Sequence, residues 1–198
     1  MKDAEIKTLL SRISQKDEET FSQFFKVYYP KLIQLALAFV PEIVSAQEIV
    51  SDVFYKILKN PKNLQKITDF DNYIYIVLRN QSFTYLKKNK HKTFFETIDQ
   101  KEDYILHDQR NPENSLLSKE LFLLVNSAIQ DLPPKRKIIF LLIKEEGRKY
   151  KDVAKILNIS IKTVELQMTL ALKKIRKTVS DYQQSKDVKI KRIDGRNY

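Results

Sequence analysis

Residues 132–177 read LPPKRKIIFLLIKEEGRKYKDVAKILNISIKTVELQMTLALKKIRK, and the second half of this stretch decides the fold. From Tyr150 to Leu157 the apolar residues Tyr150, Val153, Ala154, Ile156 and Leu157 are spaced for one face of a helix, with Lys151, Asp152 and Lys155 between them. Asn158-Ile159-Ser160 interrupts the pattern. Asn tolerates the left-handed conformation that a tight turn needs, and Ser160 is a good N-cap for the next helix. That helix places Val164, Met168, Ala171, Leu172 and Ile175 on one stripe. Ser160, Lys162, Thr163, Glu165, Gln167 and Thr169 form the start and outward face, and Lys173, Lys174, Arg176 and Lys177 make its end basic. Two helices joined this tightly read as a helix-turn-helix. The second helix of such a unit can lie in a major groove, its first turns facing base edges and its flanks facing phosphates. A plain helical hairpin with a solvated charged face is the alternative; the short turn, the cap and the one-sided chemistry favour DNA.

Working outward, Leu132-Pro133-Pro134 is a sharp joint, with proline at a favoured helix start. Ile138 to Ile143 is the buried part of the helix it opens, and Glu146-Gly147 closes it. Asn114 to Asp131 is a preceding helix with Leu116, Leu117, Leu121, Leu124, Val125 and Ala128 on its apolar side. Composition agrees with this picture. The 198 residues carry a net charge of +11, which points to a polyanionic partner. Only two glycines are present, which argues against hairpins, phosphate loops and dinucleotide folds. The absence of cysteine excludes disulfides and thiolate metal sites. The opening MKDAEIKTLL lacks a signal-type apolar core, and runs such as Leu35 to Val40 are far too short to span a membrane. The expectation is a nearly all-helical, cytoplasmic protein.

The N-terminal half is also helical in pattern. Ala4 to Ile13 can form a short leading helix, and a second begins near Asp17 with acidic residues in its first turn. Phe21, Phe24, Phe25, Tyr28, Leu32, Leu35, Ala36 and Phe39 give the second helix a wide apolar stripe. Pro30 inside it is expected to kink or break it, and Pro41 to end it. From Ser45 to Lys59, Ala46, Ile49, Val50, Val53, Phe54, Ile57 and Leu58 form a buried face, with Gln47, Glu48, Ser51, Asp52 and Lys56 outward. Asn60-Pro61 stops this helix, and Asp69 to Tyr73 opens a longer one, from Asn72 to about Asn89. The long helix is aromatic and apolar at first (Tyr73 to Leu78) and basic later (Arg79, Lys87, Lys88), a mixture suited to single-stranded nucleic acid, although Tyr and Ile at helical spacing are more often core than a base platform.

Residues 93–112 have no sustained period and are mostly acidic in charge, so residues 93–113 are expected to be a flexible linker. The chain then divides into residues 1–92, this linker, residues 114–180, and a basic tail, 181–198, expected to be frayed.

The two halves together resemble a bacterial extracytoplasmic-function sigma factor, a minimal sigma-70-type subunit of RNA polymerase. The resemblance rests on FSQFFKVYYPKLIQLALAFV, QEIVSDVFYKIL and NYIYIVLRNQSFTYLKK in the first half, and on LPPKRKIIFLL followed by YKDVAKILNISIKTVELQMTLALKKIRK in the second. It covers nearly the whole chain apart from the tail. It implies an all-α fold of two small helical domains, a sigma-2-like bundle and a sigma-4-like helix-turn-helix, joined by a flexible linker. It implies that Gln47, Glu48, Ser51, Asp52 and Phe54 dock on core RNA polymerase. The segment from Phe70 through Lys88 resembles the part that reads and opens the promoter −10 element, with Phe70, Tyr73, Arg79, Asn80, Tyr85, Lys87 and Lys88 as candidates. Asn80 matches the Asn of the family's "RN" pair and is the candidate for holding a flipped-out base, with Phe70 and Tyr73 either walling its pocket or belonging to the core. Ser160, Lys162, Thr163, Glu165, Gln167, Thr169, Lys173 and Lys174 lie where the family reads the −35 element. Core polymerase and promoter DNA are the implied partners; an anti-sigma factor, soluble or membrane-bound, is a further one the family admits. Leu166 and Leu170 stand where the family usually has basic or polar residues, so base preference does not carry over.

Two other classes compete. A regulator that binds duplex DNA without joining polymerase accounts for the second half but leaves the helices at 45–59 and 72–90 without a use. An enzyme has little to stand on: His91 and His107 lie in or beside the linker, with no nucleophile–base set or metal-ligand spacing around them. No catalytic residue, metal, cofactor or small-molecule substrate is expected.

Overall fold

A computed structural model of the chain describes residues 3–15, 17–59, 67–89 and 116–194. Among them are eight helices: α1 (Asp3–Ser14), α2 (Glu18–Ala36), α3 (Ile43–Lys59), α4 (Phe70–Lys88), α5 (Leu116–Gln130), α6 (Pro134–Lys144), α7 (Tyr150–Leu157) and α8 (Ile161–Asp194). No strand occurs among the described residues. The linker at 93–113 lies outside them.

Helices α1 to α4 form the first bundle. Asp17 caps α2, accepting from the Thr20 backbone N–H at 3.1 Å and from its hydroxyl at 2.8 Å. Those two bonds, with Arg12 alongside, hold the Asp17 carboxyl below the usual carboxylate range. Pro30 neither breaks nor ends α2, which is helical from Glu18 to Ala36. The lost hydrogen bond lies on an exposed side, while Phe24, Tyr28, Leu32 and Leu35 bury the opposite face on both flanks of the proline. The helix also stops before Pro41, as turns take over after Ala36 and the Leu37 N–H closes on the Ile33 carbonyl. The core beneath α2 is aromatic. Phe24 meets Phe54 edge-on at 5.6 Å between centroids and Phe70 at 5.7 Å, and Tyr28 meets Phe70 at 5.8 Å. Helix α3 buries Ala46, Ile49, Val50, Val53, Phe54 and Ile57. Leu58 does not join them: one residue on from Ile57 it has rotated about 100° out of the seam and is 43% exposed.

Helices α5 to α8 form the second bundle. The core here is Ile138, Ile139, Leu142, Val153, Ile156, Val164, Met168 and Ala171. Leu121 and Tyr150, both on expected apolar faces, keep 40% and 36% of their surface exposed. Lys137 is buried within this apolar helix; its ammonium donates to the Gln130 side chain, and desolvation pushes its pKa down against the pull of Asp131. The turn between α6 and α7 uses Gly147 at φ +63°, and the Arg148 N–H reaches six residues back to the Leu142 carbonyl at 2.9 Å. The tail expected to be frayed is helical as far as Asp194, α8 continuing without a break, while residues 195–198 lie outside the described ones. Its extension lies along α5, where the Tyr182 hydroxyl donates to Glu120 at 2.5 Å.

The two bundles touch through α4 and α7. Long-range polar bonds cross between them, among them Arg148 to Asp71 at 2.9 Å and Tyr75 to Glu146 at 2.6 Å.

Candidate nucleic-acid interface

The start of α8 is built by its turn. Asn158 adopts φ 54°, ψ 50° and ends α7, its N–H returning to carbonyls of the last turn. The chain then re-enters a helix at once, and Ser160 Oγ accepts the Thr163 N–H at 3.0 Å. Burial of Val164, Met168 and Ala171 sets the rotation of α8 about its axis. Lys162, Glu165 and Thr169 are consequently exposed, with Thr163 and Gln167 half-buried at the margins. Lys173 and Lys174 are exposed two turns on. Arg136, absent from the sequence-based site, reaches over from α6 and donates to Gln167 at 3.2 Å. Its guanidinium thereby adds a fixed cation to this surface. Thr169 is engaged locally, its hydroxyl donating to the Glu165 carbonyl at 2.9 Å.

Helix α4 presents its candidates unevenly. Phe70 is buried among Phe24, Tyr28 and Tyr73, so it is a core residue and not an open pocket wall. Tyr73 is half-buried beside it. Asn80 is exposed, and its Oδ1 accepts from both Arg79 Nε at 3.1 Å and Nη2 at 2.7 Å. Burial lowers the Arg79 pKa from its ordinary value. Tyr85 is half-buried and shares a 2.8 Å hydrogen bond with Ser45 of α3, while Lys87 and Lys88 are exposed.

On α3, Gln47, Glu48, Ser51 and Asp52 lie together on the exposed face. Phe54 does not belong with them: it is 4% exposed and packed on Phe21, Phe24 and Phe25, because the residue two positions after Asp52 falls on the opposite side of the helix. Asp52 is tied to α4, accepting from Gln81 Nε2 at 3.1 Å, and Lys56 donates to the same Gln81 at 2.5 Å. Nothing in the sequence pattern signalled Gln81, a buried polar residue linking the two helices.

Comparison with known proteins bears on both bundles. Residues 24–92 match the family model for Sigma-70 region 2, and residues 122–175 match Sigma-70, region 4. The RNA polymerase sigma-H factor of Pseudomonas aeruginosa is 24% identical over 182 residues, with 86% of this chain and 92% of that protein covered. The ECF RNA polymerase sigma factor SigW of Bacillus subtilis is 21% identical over 182 residues, covering 89% and 97%. Among solved structures, the sigma factor RpoE in complex with the anti-sigma factor NepR from Bartonella quintana superposes with a TM-score of 0.59 at 17% identity, covering 81% of this chain and 96% of that one. CnrH in complex with the cytosolic domain of CnrY gives 0.56 at 15% identity, covering 89% and 97%. With one family matched in both bundles, in order and over most of the chain, this protein belongs to the sigma-70 family of RNA polymerase sigma factors, in its extracytoplasmic-function (ECF) branch.

Proposed function

We propose that the chain works in the cytoplasm as a transcription initiation factor that brings core RNA polymerase to its promoters, with α3 as the docking face, α4 as the −10 reader and α8 as the −35 reader. The observation that carries this is the pairing of two matched regions in one chain: region 2 at 24–92 and region 4 at 122–175. A duplex-binding regulator has use for the second alone. Docking falls to the acidic exposed face of α3, where Glu48 and Asp52 complement a basic partner surface. The chain supplies binding and positioning; bond making belongs to the polymerase. An anti-sigma factor is a natural further partner, since the similar sigma factor RpoE was solved in complex with the anti-sigma factor NepR.

The test is a titration of core polymerase. Asp52 is a poor probe because it also holds Gln81, so Glu48→Lys is the better one. The expected result is apparent affinity weaker by about tenfold, equivalent to ~1.4 kcal/mol, with an unchanged melting curve. Equal affinity for the wild type and the variant would remove α3 as the docking face.

A further inference from the structure

Several polar side chains in the first turns of α8 already have partners. The Ser160 and Thr163 hydroxyls bond each other at 2.8 Å, and Ser160 Oγ also accepts the Thr163 N–H. The Thr169 hydroxyl donates to the Glu165 carbonyl. Gln167 lies between them, half-buried at the margin of α8 that meets α6. Its amide has one acceptor oxygen and an NH2 group with two donors. The oxygen is engaged from the neighbouring helix, as Arg136 Nε donates to Gln167 Oε1 at 3.2 Å. A guanidinium has no acceptor, so the atom turned towards it can only be the amide oxygen, and the NH2 group is turned away. The bond runs through Nε, so the two Nη groups of Arg136 add further donors beside the amide. Lys137, next along α6, plays no part here: it is buried and donates to Gln130.

This arrangement changes what Gln167 can recognise. A free Gln amide is bidentate to adenine, its oxygen accepting from N6 and its NH2 group donating to N7. With the oxygen held on a guanidinium, the adenine N6 amino group would meet donors and a positive charge. The second lone pair of Oε1 does not restore the match, because N6 would have to approach it alongside the N–H groups of Arg136. Guanine offers N7 and O6 at the same place, both acceptors.

We infer, on the reading of α8 as the −35 helix, that Arg136 is a specificity-determining residue. By holding the Gln167 oxygen it converts this position from an adenine reader into a donor-only reader of guanine. Arg136 acts here as a positioning residue, from a helix that precedes the one in the groove, and its charge reinforces the same choice of base.

The test is a selection. The full chain, assembled with core polymerase, is offered duplexes of a target promoter randomised across the −35 region, and the bound molecules are sequenced. The wild type should enrich guanine over adenine at one position by roughly tenfold. Arg136→Leu frees the amide oxygen, so adenine should equal or exceed guanine at that same position, with the preferences elsewhere and the melting curve unchanged. Gln167→Glu keeps a partner for Arg136 but removes the NH2 donors. It should also abolish the guanine preference there, and it keeps the test valid should the Leu variant fold poorly. Guanine preference retained in both variants overturns the inference. So does a uniform loss of binding across all sequences, which would make Arg136 a phosphate contact only. A wild type that enriches no base in the −35 region brings down the −35 reading of α8 together with the inference. A preference that survives intact in the variants removes Arg136 alone and leaves that reading standing.

Discussion

Asn158 is the only non-glycine residue with a positive φ among the described residues, at 54°. A Cβ in the left-handed region costs roughly 1–2 kcal/mol, and Asn escapes part of that through local polar contacts. Asn158→Ala should therefore destabilise the second bundle by ~1 kcal/mol, with Asn158→Gly neutral or stabilising; urea melts of the two variants check the order. Asn80 poses a different question. Its oxygen faces Arg79 and its side chain is exposed, so its loss leaves no buried polar group unpaired. Asn80→Ala should keep the melting temperature and core binding while lowering permanganate reactivity of unpaired promoter thymines. Capturing an extruded base offsets an unstacking cost of a few kcal/mol, so losing that capture is expected to reduce opening at least tenfold (~1.4 kcal/mol). Normal reactivity in the variant would take Asn80 out of the site.

At the scale of the element, α8 separates two kinds of contact along its length. Lys162 and Gln167 lie near its start, where a groove-inserted helix meets base edges. Lys173 and Lys174 lie farther on and suit phosphates. Replacing both distal lysines with Ala should reduce the salt slope of DNA binding by about 2 and weaken all sequences alike. Lys162→Ala should instead cost roughly 1–3 kcal/mol on the cognate −35 site and little on random DNA. Gln167→Ala carries a further consequence, since it releases Arg136. Equal losses on cognate and random DNA for Lys162→Ala would count against base contact by this turn. Helix α2 shows how packing outweighs a local breaker: Pro30 interrupts one hydrogen bond, while an apolar face buried on both of its flanks keeps the helix whole.

At the scale of the whole molecule, a charge of +11 coexists with a rim of paired charges between the bundles. Screening should act on these pairs before it touches either apolar core. Calorimetry of the full chain should show coupled melting at low salt and resolved transitions of the two bundles near ~0.5 M, where the Debye length falls below about 5 Å. Two resolved transitions at low salt would contradict coupling through the interface.

Local physics settled much of this protein in advance. Helical periodicity with scarce glycine specified the α-only fold, and Ser160 and Asn158 announced the turn because capping and the left-handed conformation are demands of a few adjacent residues. Exposure of Gln47, Glu48 and Asp52 followed from the apolar period of α3 in the same way. Tertiary structure decided what periodicity cannot resolve. Phe54 and Phe70 became core because an aromatic cluster from three helices closes over them. The contact of α8 with α5 at Tyr182 and Glu120 pairs residues 62 positions apart, which the weak pattern of the tail does not announce. The bonds from Arg79 to Ile156 and from Arg148 to Asp71 join residues 77 positions apart in each case. No local pattern encodes such pairs, because each half satisfies its own period whether or not the other is near. Only the meeting of two folded surfaces determines which polar groups find a partner there.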